Sequence, residues 1–153
     1  MAYQLSDITI RTDNSEAGMK AIDELWKDIE SGKLPLLFNS NGEFLQGVSP
    51  VSRYSNYASD ENGAYDLSVL AVTADFFRRM EEKVKAGQYK KYDESDENGD
   101  ISRCAREAWK KVWDENKTGT IRRIFTEDYE STVPAKYCQD GKAHCFLYIA
   151  VAK

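Results

Sequence analysis

Residues 101–119 read ISRCAREAWKKVWDENKTG, and residues 14–32 read NSEAGMKAIDELWKDIESG. In both stretches apolar residues recur at intervals of three and four. The later one has Ala105, Trp109, Val112 and Trp113; the earlier one has Ala21, Ile22, Leu25, Trp26 and Ile29. This is the period of an amphipathic helix that lays one stripe on a core. Asn14 or Ser15 can cap the first helix, and Gly32 is placed to end it. The second is predicted over Ile101–Glu115. Adding 87 to Trp26 gives Trp113, and adding 87 to Gly32 gives Gly119, so each stretch carries a tryptophan six residues before a glycine. The paired match points to an internal duplication.

Working outward, Tyr3–Thr12 alternates apolar and polar residues and reads as a strand. Val51–Ala58 and Tyr65–Ala74 read as two strands joined through Ser59-Asp60-Glu61-Asn62-Gly63, whose Asn-Gly pair suits a tight hairpin turn. Val84–Tyr92, Thr120–Val133 and Ala143–Ala152 supply three more strands around the second helix. Between them, Leu34–Pro50 is rich in Gly, Pro, Asn and Ser and is expected to be a long loop, a candidate lid. The expected architecture is α+β: two βαββ pseudo-repeats, 1–74 and 83–153, in one domain over 1–153. They would form a curved antiparallel sheet with two long helices on one face.

Composition narrows the function. At 153 residues the chain can bury a core without disulfides or metal. It has no apolar run near the roughly 18 residues of a membrane helix and no signal-like segment, so a cytoplasmic, membrane-free protein is expected. The net charge is −5 and the pI about 5.0, with Arg78-Arg79, Lys90-Lys91 and Arg122-Arg123 each close to acidic residues. Nucleic acid, which requires clustered positive charge, is not an expected partner.

The local motifs are weighed against plainer readings. Glu94–Ile101 and Asp114–Ile121 imitate a calcium loop, but the twelfth position, which must supply a bidentate carboxylate, is Ala105 in one and Phe125 in the other. Solvated capping loops are expected there, with no metal and no cofactor. Cys104, Cys138 and Cys145 are an odd set without CxxC spacing and read as reduced thiols. His144, the single histidine, adjoins Cys145 on a strand whose neighbouring side chains alternate in direction. A structural histidine is expected, and a pairing with Cys104 or Cys138 across space is the remaining route to a thiol hydrolase. No catalytic residue is assigned.

Aromatic residues make up 12% of the chain, more than its core requires as apolar bulk. Tyr54, Tyr57, Tyr65, Trp109, Phe125 and Tyr148 are candidate walls of a ligand cleft between the halves, with Glu130 as a carboxylate among them. Either parity is open for Glu130, because Phe125 and Tyr129 fall on the opposite parity in a regular strand.

Four segments in order carry a family resemblance: Tyr57–Asp66 (YASDENGAYD), Ala86–Tyr89 (AGQY), Arg123–Glu130 (RIFTEDYE) and Leu147–Val151 (LYIAV). They are similar to the YESDxNGxY, PAGxY, RxYTxDFE and IYIPV segments of the GyrI-like small-molecule-binding superfamily. That group includes effector-binding domains of AraC- and MerR-type regulators, gyrase-inhibitory proteins and integron-cassette drug-binding proteins. The resemblance implies a stand-alone effector-binding module for cationic aromatic or hydrophobic ligands, with Glu130 as the binding carboxylate and no helix-turn-helix. Alternatives it implies are a protein-protein inhibitor and a hydrolase of strained-ring natural products. Ala58 stands in place of the family's glutamate, Ala86 lacks the preceding proline, and Ser131-Thr132 displace the aromatic that follows DFE. These departures bear on ligand identity more than on fold.

Overall fold

The structure, a computed structural model, describes residues 8–30, 49–59, 63–133, 135 and 138–152. The described residues are α+β, with antiparallel strands and three helices, and the chain divides into two compact units, Met1–Phe77 and Arg78–Lys153. The expected lid over Leu34–Pro50 lies outside the described residues except for its last two, which open a strand. The expected helix stop at Gly32 also lies outside them.

In the first unit β1 (Ile8–Thr12) and β2 (Ser49–Ser55) both pair antiparallel with β3 (Tyr65–Val72), which is therefore central. Ile10 and Tyr54 both stand opposite Leu67, so the three share a face. On that face Tyr65, Leu67 and Val69 pack with Leu25 of α1 (Glu16–Glu30), and Ile22 and Trp26 close the margin. The expected hairpin is present: β2 runs antiparallel to β3, and the Ala58 N–H donates to the Ala64 carbonyl at 2.8 Å across the turn.

In the second unit β6 (Ala143–Ala150) is central, flanked by β4 (Tyr89–Asp96) and β5 (Glu127–Val133). Helix α3 (Ile101–Thr118) covers one face. Its buried stripe is Cys104, Ala108 and Val112, set against Ala143, Cys145, Leu147 and Ile149. Trp113 is 39% exposed rather than part of that stripe. Asp100 caps the helix by accepting from the Arg103 N–H, and Gly119 ends it in the left-handed region at φ 80.

Two expectations are corrected. Val84 does not begin a strand: α2 (Ala74–Lys85) occupies that stretch, a third helix, and the strand starts at Tyr89. Phe76, Phe77, Met80 and Val84 follow the helical spacing, with Asp75 in the first turn and Lys83 and Lys85 in the last, each matched to the helix dipole. Thr120–Val133 is not one continuous strand either. Phe125 has φ 52, an αL conformation that interrupts an extended run, and β5 begins at Glu127.

The calcium-loop imitations are absorbed by the fold. Asp96, 3% exposed, accepts from the Asn98 N–H at 2.7 Å and from the Arg103 guanidinium at 3.2 Å. Glu115 accepts from Lys90 and from the Tyr92 hydroxyl, and the Asn116 side-chain oxygen accepts from the Arg123 N–H. Among the described residues no helix is long and apolar enough to cross a membrane.

Candidate functional site

Glu130 stands opposite Leu147 in the β5–β6 ladder, so it shares the α3 face with the core beneath that helix. Its carboxylate, on a half-buried residue, accepts from the Trp109 indole N–H of α3 at 2.5 Å. The Arg123 guanidinium lies 5.8 Å from the Trp109 ring centre and 4.3 Å from that of Phe125, a cation held against two rings. Asp128, fully buried, faces it: one carboxylate oxygen accepts from Arg123 at 2.9 Å and the other from the Ala150 N–H at 2.9 Å. Two expected residues, Trp109 and Phe125, thus lie against Arg123, and a third, Glu130, joins the group through Trp109. Neither Arg123 nor Asp128 stands out in sequence. The break that brings them together, five residues apart, is set by tertiary context.

Tyr148 is not in this group. It pairs with Tyr129 and Lys91 across the ladders and lies on the opposite face of the same strands. There its hydroxyl donates to Glu81 of α2 at 3.2 Å, and burial pushes its phenol well above the ordinary tyrosine range, with Glu81 adding to the shift. Lys91 donates to Glu81 at 2.5 Å and sits over both Phe146 and Tyr148. Its hydrogen bond holds the Glu81 carboxyl below its usual value.

Tyr54, Tyr57 and Tyr65 form a cluster in the first unit, with ring centres 5.4 and 5.9 Å from that of Tyr65. Tyr65 is 3% exposed, and its hydroxyl donates to the Asn14 side chain at 2.7 Å. It is a core residue with a satisfied polar tip.

His144, also on the face away from α3, is held at both ring nitrogens. Nδ1 lies 2.8 Å from Asp93 and Nε2 2.7 Å from Asp140, with the ring stacked on Phe146. The bond to Asp93, reinforced by Asp140, raises its pKa above the ordinary histidine value against the opposing pull of burial. Of the two thiols considered as partners, Cys104 lies on the buried stripe of α3, across the sheet from His144. Cys138 does come to His144, the reactive atoms of Cys138, Asp140 and His144 all lying within 4.8 Å. Burial and then the Asp140 and Asp93 charges push the Cys138 thiol up, the reverse of what an activated nucleophile requires. Asp93 and Asp140 escape sequence reading because one comes from β4 and the other from a turn.

No protein-family model matches the chain, and no curated protein matches it. In fold it is similar to an integron cassette protein from the mobile metagenome of Vibrio cholerae, known from a crystal structure. The TM-score is 0.60 at 18% sequence identity, over 96% of this chain and 94% of that one.

Proposed function

We propose that this chain is a small-molecule-binding module, built as two βαββ repeats, in which Glu130 pairs with the positive charge of a planar aromatic ligand. The observation that carries the reading is the Trp109 indole N–H donating to the Glu130 carboxylate on a half-buried stretch of β5. This bond fixes the direction of the carboxylate beside a ring whose π face attracts cations. Arg123 and Asp128, one positive and one negative, sum to zero, so Glu130 is the charge that gives the group its preference. A neutral guest would desolvate the carboxylate without offsetting that cost.

The duplication is supported by more than the Trp-Gly spacing. Leu25 and Val112 differ by 87 positions (112 − 25), and both are buried under their own sheet. Ile22 and Trp109, also 87 apart (109 − 22), both pack at the margin of their cluster. Apart from α2, which straddles the boundary between the units, the described elements of each unit run strand, helix, strand, strand, with the last strand central.

The test is intrinsic fluorescence. The chain has three tryptophans, so the titration of a planar cationic dye is run on the native chain and on Trp109→Phe. Saturable quenching that largely disappears with Trp109→Phe supports the site. Quenching that does not saturate, or that Trp109→Phe leaves unchanged, counts against it.

A further inference from the structure

We propose that Cys138, Asp140 and His144 form a binding site for a divalent cation of borderline softness, of which Zn²⁺ is the best match, with Asp93 orienting the histidine. The donor set is one sulfur, one oxygen and one imidazole nitrogen, whose atoms lie within 4.8 Å of one another. Thiolate with imidazole and carboxylate is a ligand combination that suits zinc.

The surroundings orient the nitrogen and oxygen donors, and the Cys138 thiol, which donates to the Val133 carbonyl at 3.9 Å, gives up that weak bond when it takes a metal. Asp93 contacts Nδ1 of His144 at 2.8 Å and orients the ring, while Nε2 donates its N–H to Asp140 at 2.7 Å and offers its lone pair to a cation once that proton leaves. Stacking on Phe146, with planes 4° apart, sets the ring's orientation. One oxygen of Asp140 accepts from the Lys142 N–H at 3.0 Å, leaving the other aimed at Nε2 at 2.7 Å. Cys138 and Asp140 share a tight turn, closed by the Gly141 N–H donating to the Cys138 carbonyl at 3.1 Å and made possible by Gly141 at φ 71.

The spacing is compatible with coordination. With Zn–N and Zn–O bonds of about 2.0–2.1 Å and a Zn–S bond of about 2.3 Å, tetrahedral donors sit roughly 3.3–3.6 Å apart. Nε2 and the Asp140 oxygen, now at 2.7 Å, must therefore part by roughly 0.6 Å, and a donor pair at the 4.8 Å limit must close by roughly 1.2 Å. Asp140, whose side chain is 46% exposed, can move that far. On binding, the Cys138 thiol and the Nε2–H of His144 each give a proton to solvent, and the thiolate and the freed nitrogen take the metal, a step that requires no redox partner. Three protein donors leave the fourth position to water.

The experiment uses the full chain, kept reduced and stripped of metal by dialysis against a chelator. Zn²⁺ alone is titrated by calorimetry, and Co²⁺ alone is followed by absorbance. The expected results are about one equivalent of Zn²⁺ bound, a Zn²⁺-dependent rise in the melting midpoint, and a thiolate-to-cobalt charge-transfer band that Cys138→Ser abolishes. Asp93→Asn is expected to keep the band and weaken Zn²⁺ by about 10–100-fold, as removal of an orienting carboxylate does. Absence of Zn²⁺ binding at micromolar concentrations overturns the proposal, as does a cobalt band that survives Cys138→Ser. Should that variant fail to fold, the wild-type midpoint decides: no rise with Zn²⁺ overturns the site.

Discussion

Glu130 and Tyr148 occupy adjacent strands of one ladder and face opposite ways: Glu130 stands opposite Leu147 under α3, and Tyr148 stands opposite Tyr129 on the other face. A ligand held by Glu130 on the α3 face therefore does not touch Tyr148 through the sheet. Glu130→Gln keeps shape and removes charge, so it is expected to weaken a planar cationic dye by roughly 1.5–3 kcal/mol and a neutral analogue much less. Tyr148→Phe is expected to leave both affinities within error. Calorimetric titration of the three proteins decides. Equal losses for dye and analogue in Glu130→Gln would reduce Glu130 to a residue of general structural effect.

The buried pair below that site makes a stability prediction. Arg123 and Asp128 have side chains 2% and 0% exposed, and Asp128 also ties to the Ala150 backbone. Removing one member of a buried pair leaves the other charge without that compensation and typically costs about 3–5 kcal/mol. Asp128→Ala is expected in that range by denaturant unfolding. The double change Arg123→Met, Asp128→Leu is expected to cost clearly less than the sum of Arg123→Met and Asp128→Leu measured singly. Strict additivity would show that the two side chains do not act as a pair.

The two amphipathic helices were legible because an apolar period over fifteen or more residues leaves few alternatives, and Gly119 ends α3 as its spacing from Trp113 suggests. Helix α2 escaped because Val84 and Tyr89, a β-branched and an aromatic residue on either side of Gly87, look like one strand when the twelve-residue helical period ending at Lys85 is cut short. The face of Glu130 was not legible either. It depends on the αL residue Phe125, a conformation that a phenylalanine does not advertise and that the ring's contact with Arg123 helps to hold. The His144 cluster combines β4, β6 and a turn, so its spacing in sequence carries no pattern.

Asp96 sets an acid-side dependence. Its hydrogen bond from the Asn98 N–H, helped by Arg103, holds its carboxyl below the ordinary value of 3.8 in the folded chain. A depressed folded pKa means the stabilisation is complete above the unfolded value and is lost as pH falls through the folded one. Asp96→Asn, which imitates the neutral carboxyl, is therefore expected to melt below wild type at pH 7. The gap should close as the pH is taken down through 4 and below. A gap that stays constant with pH would mean that the charge of Asp96 contributes nothing.

Gly119 offers a test of how α3 ends. Its φ of 80 lies in the left-handed region, and an added Cβ would meet nothing within 4 Å, so the cost of a side chain there is conformational rather than steric crowding from neighbours. For an L-residue that conformation costs roughly 1–2 kcal/mol, and asparagine tolerates it better than alanine does. Gly119→Ala is therefore expected to lose about 1 kcal/mol, which for a chain of this size corresponds to a fall of roughly 2–4 °C in the melting midpoint. Gly119→Asn should lose less. The alternative is that the helix simply runs on past residue 119 when alanine is present. In that case the bond from the Ile121 N–H to the Glu115 carbonyl, 3.2 Å in the native turn, would be given up. Ile121, 9% exposed in the α3 core, would be pulled from its place. The ordering of the three proteins separates these cases: glycine above asparagine above alanine by small steps fits a strained but retained cap. An alanine variant as stable as wild type would show that the cap at Gly119 does not govern where the helix stops.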